Sequence, residues 1–191
     1  MTDSLTDNLS IALAHHPVQN KHGDTITSAV TNLDVHDLAR CARTYGINTV
    51  FVVTPLEDQI RLIGQLVAHW VSGYGATYNP KRREALEGVQ IIESLEAVRE
   101  TVALRHGTPP KLVATAARPP GETMDPVGLK RLLEAGAPVV LVFGTAWGLA
   151  PAFLQTADHV LAPIRGRGDY NHLSVRTAAA IILDRLLGDR H

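Results

Sequence analysis

Apolar residues follow two alternating patterns along the chain. Six short runs, LSIALAH at 9–15, TVFVVTP at 49–55, VQIIES at 89–94, KLVATAA at 111–117, PVVLVFG at 138–144 and HVLAPI at 159–164, are rich in aliphatic and β-branched residues, which predicts strands. Between them, 34–45, 56–71, 94–105, 125–134 and 173–187 place apolar residues at helical spacing. Strand and helix alternating in this way predict an α/β domain with a mostly parallel sheet flanked by helices. The unbroken TVFVV and VVLVF suit strands covered on both faces. The stretch HWVSGYGATYNPKRREALEG, 69–88, follows neither period and is predicted as a loop between the second helix and the third strand. No repeat or linker divides the chain, and 191 residues suit one domain spanning 1–191.

Glycine and proline mark three loops after late strands: TAARPPGET, GTAWGLAP and PIRGRGDYNH. In open parallel sheets, ligands bind at those strand ends. The chain has no GxxxxGK[ST] and no GxGxxG after its first strand, which disfavours a nucleotide triphosphatase or a conventional dinucleotide enzyme. Glycine loops of this kind let backbone approach a ligand without phosphate, and S-adenosylmethionine is such a ligand. His15, His16, His22 and His36 lack HxxxH or HExxH spacing, so no metal site is expected. The single Cys41 excludes an internal disulfide and reads as a buried thiol.

The residues in these loops resemble a known family. VVLVFGTAWGLAP, 139–151, looks like the second SpoU-type motif, with Gly144, Gly148 and Leu149 in the matching places. HVLAPIRGRGDYNHLSVRTAAAIIL, 159–183, is similar to the third, with Pro163, Ile164, Gly166 and Asn171 in its roles. NLDVHDLARCARTYGINTVFVV, 32–53, resembles the first, with Arg40 followed six residues later by Gly46. The phrases TNLDxHDxARxxRTYG, FGTxWGL and YNHLSVRxAxAIILDRL are shared with a small bacterial family of SPOUT (α/β-knot) RNA methyltransferases. The resemblance implies a C-terminal trefoil knot and a cofactor site within about 111–187, S-adenosylmethionine as cofactor, tRNA or rRNA as substrate, and a homodimer formed on the last helix. It places Thr115, Arg118, Phe143, Gly144, Thr145, Gly148, Ile164, Gly166, Asn171, Leu173 and Ser174 around the cofactor.

Methyl transfer from a sulfonium is an in-line displacement that needs positioning and removal of a proton from the acceptor. Arg40 is carried over from the SpoU-type pattern to the acceptor group; the alternative is a phosphate or carboxylate clamp. Asp169 stands where it can take a proton from a base nitrogen, or merely bond its own turn. Asp169-Tyr170-Asn171 replaces the Ser-Leu-Asn usual in ribose-methylating members, so ribose 2′-oxygen and base nitrogen both stay open as acceptors. Trp147 and Tyr170 either stack on a base or pack. Asn171, Ser174 and Arg176 open the last helix, where amides favour an anion and a cap is the blander role.

Charge narrows the RNA reading. Eighteen Lys and Arg against nineteen Asp and Glu give a net charge of −1, so any RNA surface is a local patch. Its candidates are Arg43, Lys81, Arg82, Arg83, Arg165 and Arg167. The N-terminus lacks early basic residues and no apolar run reaches membrane-spanning length, so the expected location is cytoplasmic, away from membranes. A knotted RNA-binding protein without turnover, and methylation of a substrate other than RNA, remain the alternatives.

Overall fold

The computed structural model describes residues 3–189. Six parallel strands, β1 (Leu9–Ala14), β4 (Val50–Val53), β5 (Val89–Ile92), β6 (Lys111–Thr115), β7 (Val139–Gly144) and β8 (His159–Leu161), form one sheet in the order β5-β4-β1-β7-β6-β8. Each lies inside one of the six apolar runs. The central pair is in register from Leu9 opposite Val139 to Ala14 opposite Gly144. Two-residue strands β2 (Val18–Gln19) and β3 (Thr25–Ile26) form a separate antiparallel hairpin.

Both faces of the sheet are covered, as the unbroken apolar runs require. On one side Leu9, Ile11, Leu13, Val50, Val52, Leu141 and Phe143 pack with α2 (Asn32–Thr44), α3 (Glu57–Val71), α5 (Pro80–Leu86), α7 (Pro126–Glu134) and α9 (Val175–Leu187). On the other, Ala12, Ala14, Phe51, Val53, Val140 and Val142 meet α6 (Leu95–His106) and α8 (Pro151–Thr156). Each fully buried Leu or Phe stabilises the fold by about 1.5–3 kcal/mol. The small Ala12, Ala14 and Ala114 lie on the thinner side and are wholly buried.

Helix starts follow local chemistry. Thr31, Ser94, Asp125 and Ser174 accept hydrogen bonds from the first-turn amides of α2, α6, α7 and α9, supplying partners that the helix lacks. The segment predicted as a loop over 69–88 instead holds the end of α3, α4 (Tyr74–Tyr78) and α5. Its helices are too short to carry a readable period, and packing against α3 holds them. α1 (Asp3–Asp7), α8 and the hairpin also lie outside the predicted elements.

Candidate cofactor and acceptor site

β1 and β7 are neighbours whose chains leave the sheet on opposite faces, β1 toward α2 and β7 toward α8. In open parallel sheets such a switch point, at the C-terminal strand ends, is where ligands bind. Gly144 ends β7 there, and the chain turns sharply after it. A Cβ on Gly144 would lie 2.5 Å from the Leu149 amide nitrogen, so only glycine allows the loop to fold back this tightly. Ala146 holds φ at +52° and Gly148 at +103°; a non-glycine residue in the left-handed region stores local strain of the kind found at functional sites.

The hairpin clamps this loop. The Gln19 amide donates to Gly148 O at 2.9 Å, the Trp147 amide to Gln19 O at 3.2 Å and the Ala150 amide to Pro17 O at 3.1 Å. Gln19 Nε2 adds a bond to Trp147 O. Trp147 is therefore fixed through its backbone while its ring stays 64% exposed, which leaves the ring free to stack and removes the packing reading.

His15, which follows β1, is fully buried. Its Nδ1 lies 3.0 Å from Ser28 Oγ, Ser28 Oγ lies 2.6 Å from Thr145 Oγ1, and Thr145 Oγ1 lies 3.1 Å from Ala14 O. One proton direction satisfies all three contacts: Nδ1–H donates to Ser28, Ser28 to Thr145, and Thr145 to the Ala14 carbonyl. Nε2 is left buried without a hydrogen-bond partner. Burial pushes the His15 pKa down to about 4, partly offset by the Asp34 carboxylate and the Ala29 backbone. The imidazole is thus neutral near pH 7 and ties β1, the 27–31 segment and Thr145 together. Sequence reasoning missed Ser28; its only signal is the hydroxyl-rich TITS at 25–28.

The loops after β6 and β8 meet through Asn171, whose Nδ2 donates to Ala117 O at 3.0 Å. Thr115 Oγ1 is spent on Val142 O at 3.0 Å, bracing the ends of β6 and β7. Phe143 is in the core, so only its backbone faces the loops. Ile164 is half-buried against the same core, whereas Gly166, Asp169, Tyr170 and Leu173 are exposed. A Cβ on Gly166 would meet nothing. Ser174 is used as the cap of α9. Asp169 makes no hydrogen bond to its own turn, and Arg118, Arg165 and Arg167 are exposed without an ion pair among the described residues.

Arg40 projects from α2 with its side chain 60% exposed, 3.8 Å from Asp37. Asp37 has a better partner in Arg176 of α9, whose Nη1 donates to Asp37 Oδ2 at 3.0 Å. Arg176 Nε lies 3.1 Å from Asp34 Oδ1 as an ion pair, off the line of a hydrogen bond. Arg176 therefore joins α2 to α9 and is not available to an anion, while Arg40 keeps most of its guanidinium in solvent. The other predicted RNA contacts on this side are engaged. Arg43 bonds Glu84 and Asn48, Lys81 pairs with Glu84, Arg83 with Glu87, and Arg82 lies over Trp70. No group of three or more described His, Cys, Asp or Glu residues is placed to hold a metal, and no described helix is long and apolar enough to cross a membrane.

Comparison with known proteins agrees with this architecture. A family model described as SAM-dependent RNA methyltransferase matches residues 8–188. The chain belongs to that family. It is 46% identical over 182 residues to a tRNA (guanine-N(1)-)-methyltransferase of Oleidesulfovibrio alaskensis, a match covering 95% of this chain and 42% of the relative. The chain thus spans less than half the length of the curated relatives with that name. A methylase family protein of Neisseria gonorrhoeae superposes with a TM-score of 0.65 at 16% identity, covering 97% of this chain and 83% of the other. The SpoU methyltransferase AviRb of Streptomyces viridochromogenes, solved with AdoMet, superposes with a TM-score of 0.53 at 21% identity, covering 93% of this chain and 56% of that one. These likenesses establish a SPOUT-type fold.

Proposed function

We propose that this member of the family methylates RNA, with S-adenosylmethionine held by the loops after β6, β7 and β8 and the acceptor met by Arg40. The observation that carries the reading is the tight turn after Gly144 at the β1/β7 switch point, where a Cβ would lie 2.5 Å from the Leu149 amide nitrogen. The residues fit the cofactor: Ile164 and Leu173 offer apolar surface, the Gly144 to Gly148 loop offers backbone, and Asp169 offers an unpaired carboxylate to a cation. When bound, the cofactor supplies an electrophilic methyl group on a sulfonium. Asn171 holds the loops after β6 and β8 together, and Thr145 keeps its loop on β1 through the Ser28 and His15 chain. Arg40 stabilises negative charge developing on the acceptor, a role that needs no proton uptake by the guanidinium. Asp169 takes the proton if the acceptor is a base nitrogen.

tRNA is the favoured substrate because relatives named tRNA methyltransferases match 95% of this chain. Their guanine-N1 chemistry does not transfer with the name, since more than half of each relative lies outside the match. The C-terminal knot belongs to the same reading: the chain after β8 is tied to the β6 loop at Ala117 before α9 returns onto α2 and α7. So does a homodimer, which sedimentation measures directly. The test of activity is incubation of the protein with methyl-labelled S-adenosylmethionine and bulk bacterial tRNA or rRNA, followed by nucleoside mass spectrometry. A new methylated nucleoside in either RNA supports the proposal. Saturable cofactor binding with no methylated nucleoside in either pool refutes it in favour of a binding protein.

A further inference from the structure

Trp70, near the end of α3, anchors an aromatic cluster that the proposed chemistry does not use. Its ring meets His36 of α2 edge-on at 5.6 Å and His69 at 5.1 Å, and the Arg82 guanidinium carbon lies 4.5 Å from its centroid. Gly75 lets α4 lie directly on the indole: a Cβ there would come within 2.7 Å of the ring. Asn79 then caps α5 by accepting from the Arg82 amide, and Pro80 occupies its first turn. The segment is thus fastened at both ends, and not a free loop.

Fixing α4 in this way turns Tyr74 and Tyr78 outward. They are 76% and 74% exposed, with ring centroids 6.2 Å apart and planes 25° from parallel. Two large rings, stacked on each other and mostly exposed on a braced backbone, are costly to leave uncovered and mark an interaction site. The surrounding charge points to the occupant. Arg43, Lys81, Arg82 and Arg83 stand here against Glu84 and Glu87, with Asp37 nearby on α2, and the Lys81 side chain is 91% exposed. Surface ion pairs of this kind contribute little, so phosphates replace the carboxylates at little cost. The patch also adjoins the acceptor helix. His36 contacts Trp70 one turn before Arg40, and the charges of Arg82, Asp37 and Arg40 all bear on it.

We propose that Tyr74 and Tyr78 form a stacking platform for unpaired bases of the RNA substrate, with Lys81 and Arg83 on the adjoining phosphates, beside Arg40. This rests on the RNA-methylating reading above. Stacking on aromatics is the usual way proteins hold single-stranded RNA, and it is separable from phosphate contacts because only the latter release counterions.

The test is anisotropy titration of the full chain, saturated with S-adenosylmethionine, against a fluorescein-labelled mixed-sequence 12-nucleotide RNA and against bulk tRNA. Tyr74→Ala and Tyr78→Ala should each weaken binding roughly tenfold, within the range for loss of one base stack, with the slope of log affinity against log salt unchanged. Tyr74→Phe and Tyr78→Phe should bind as wild type. Lys81→Ala should instead lower the slope by about one. Circular dichroism and unaltered cofactor affinity identify variants that remain folded. Wild-type affinity in folded alanine variants overturns the platform alone. A change from dimer to monomer in the double alanine variant also overturns it, assigning the face to a second copy. If the wild-type protein binds the cofactor and neither RNA, the RNA reading falls and takes the platform with it.

Discussion

Acid should loosen this protein at one identifiable place. His15 is neutral in the fold, with a pKa of about 4, and ordinary in the unfolded chain, near 6.5. The unfolded state therefore binds more protons between those values, and stability falls as pH drops through that window. The gap of about 2.5 pH units corresponds to about 3 kcal/mol in full, of which about 2 kcal/mol is lost by pH 5. The structural reason is that protonation places a second N–H on Nε2, which is buried and has no acceptor. It leaves unchanged the donor role of Nδ1 toward Ser28. Urea unfolding of wild type and His15→Gln at pH 7.5, 6 and 5 isolates this contribution. The pKa of His36 is also lowered, by burial and then Arg82, but that effect is common to both proteins and cancels in their difference. Wild type should lose about 2 kcal/mol more than the variant on going to pH 5, and the His15 ring should resist titration in NMR until near pH 4. Parallel losses in the two proteins, or a His15 resonance titrating near 6.5, would refute the reasoning.

Other perturbations follow from the same site. Gly144→Ala should lower cofactor affinity at least tenfold in calorimetry and destabilise the fold, because its Cβ meets backbone at 2.5 Å; Ala146→Gly should raise stability by about 0.5–1 kcal/mol in urea unfolding by relieving a left-handed alanine. Asn171→Ala, which cuts the bond to Ala117 O, should weaken cofactor binding more than Arg40→Ala, which should mainly slow transfer in single-turnover assays; equal cofactor affinities in the two variants would contradict that division. Arg176→Gln leaves Asp34 and Asp37 without their shared cation and should cost about 1 kcal/mol in denaturant unfolding, little because the pair is partly exposed.

The six strands were legible as short aliphatic runs: β4 and β7, covered on both faces, are apolar throughout, whereas the edge strands β5 and β8 carry Gln90 and His159; helical spacing alone put the starts of α2, α3, α6, α7 and α9 within two residues. The loops of the proposed cofactor site were legible for a related reason. The demand on Gly144 is local, set by the turn that follows it, so it appears as a glycine in a fixed spacing. The acceptor side was less readable because it is assembled by tertiary contacts. Nothing near His15 in sequence says that Ser28 and Thr145 will close over it, and the two-residue strands of the hairpin have no period to detect. α4 escaped notice because its five residues are held by Trp70 and Gly75, not by helical propensity.

The basic run at 81–83 carries its own neutralising charges. Glu84 lies three residues after Lys81, and Glu87 four after Arg83, the spacings at which helix side chains pair. Those charges are therefore partly neutralised within α5, whereas Arg118, Arg165 and Arg167 are exposed on the loops that follow β6 and β8. A net charge of −1 is thus compatible with RNA binding only if recognition relies on few free cations and on stacking. The exposed rings of Trp147, Tyr170, Tyr74 and Tyr78 suit that requirement: on the proposed reading they would supply affinity that does not depend on charge. The expected consequence is a salt dependence of RNA binding shallower than the number of basic residues near the site would give, because paired arginines release fewer counterions than free ones.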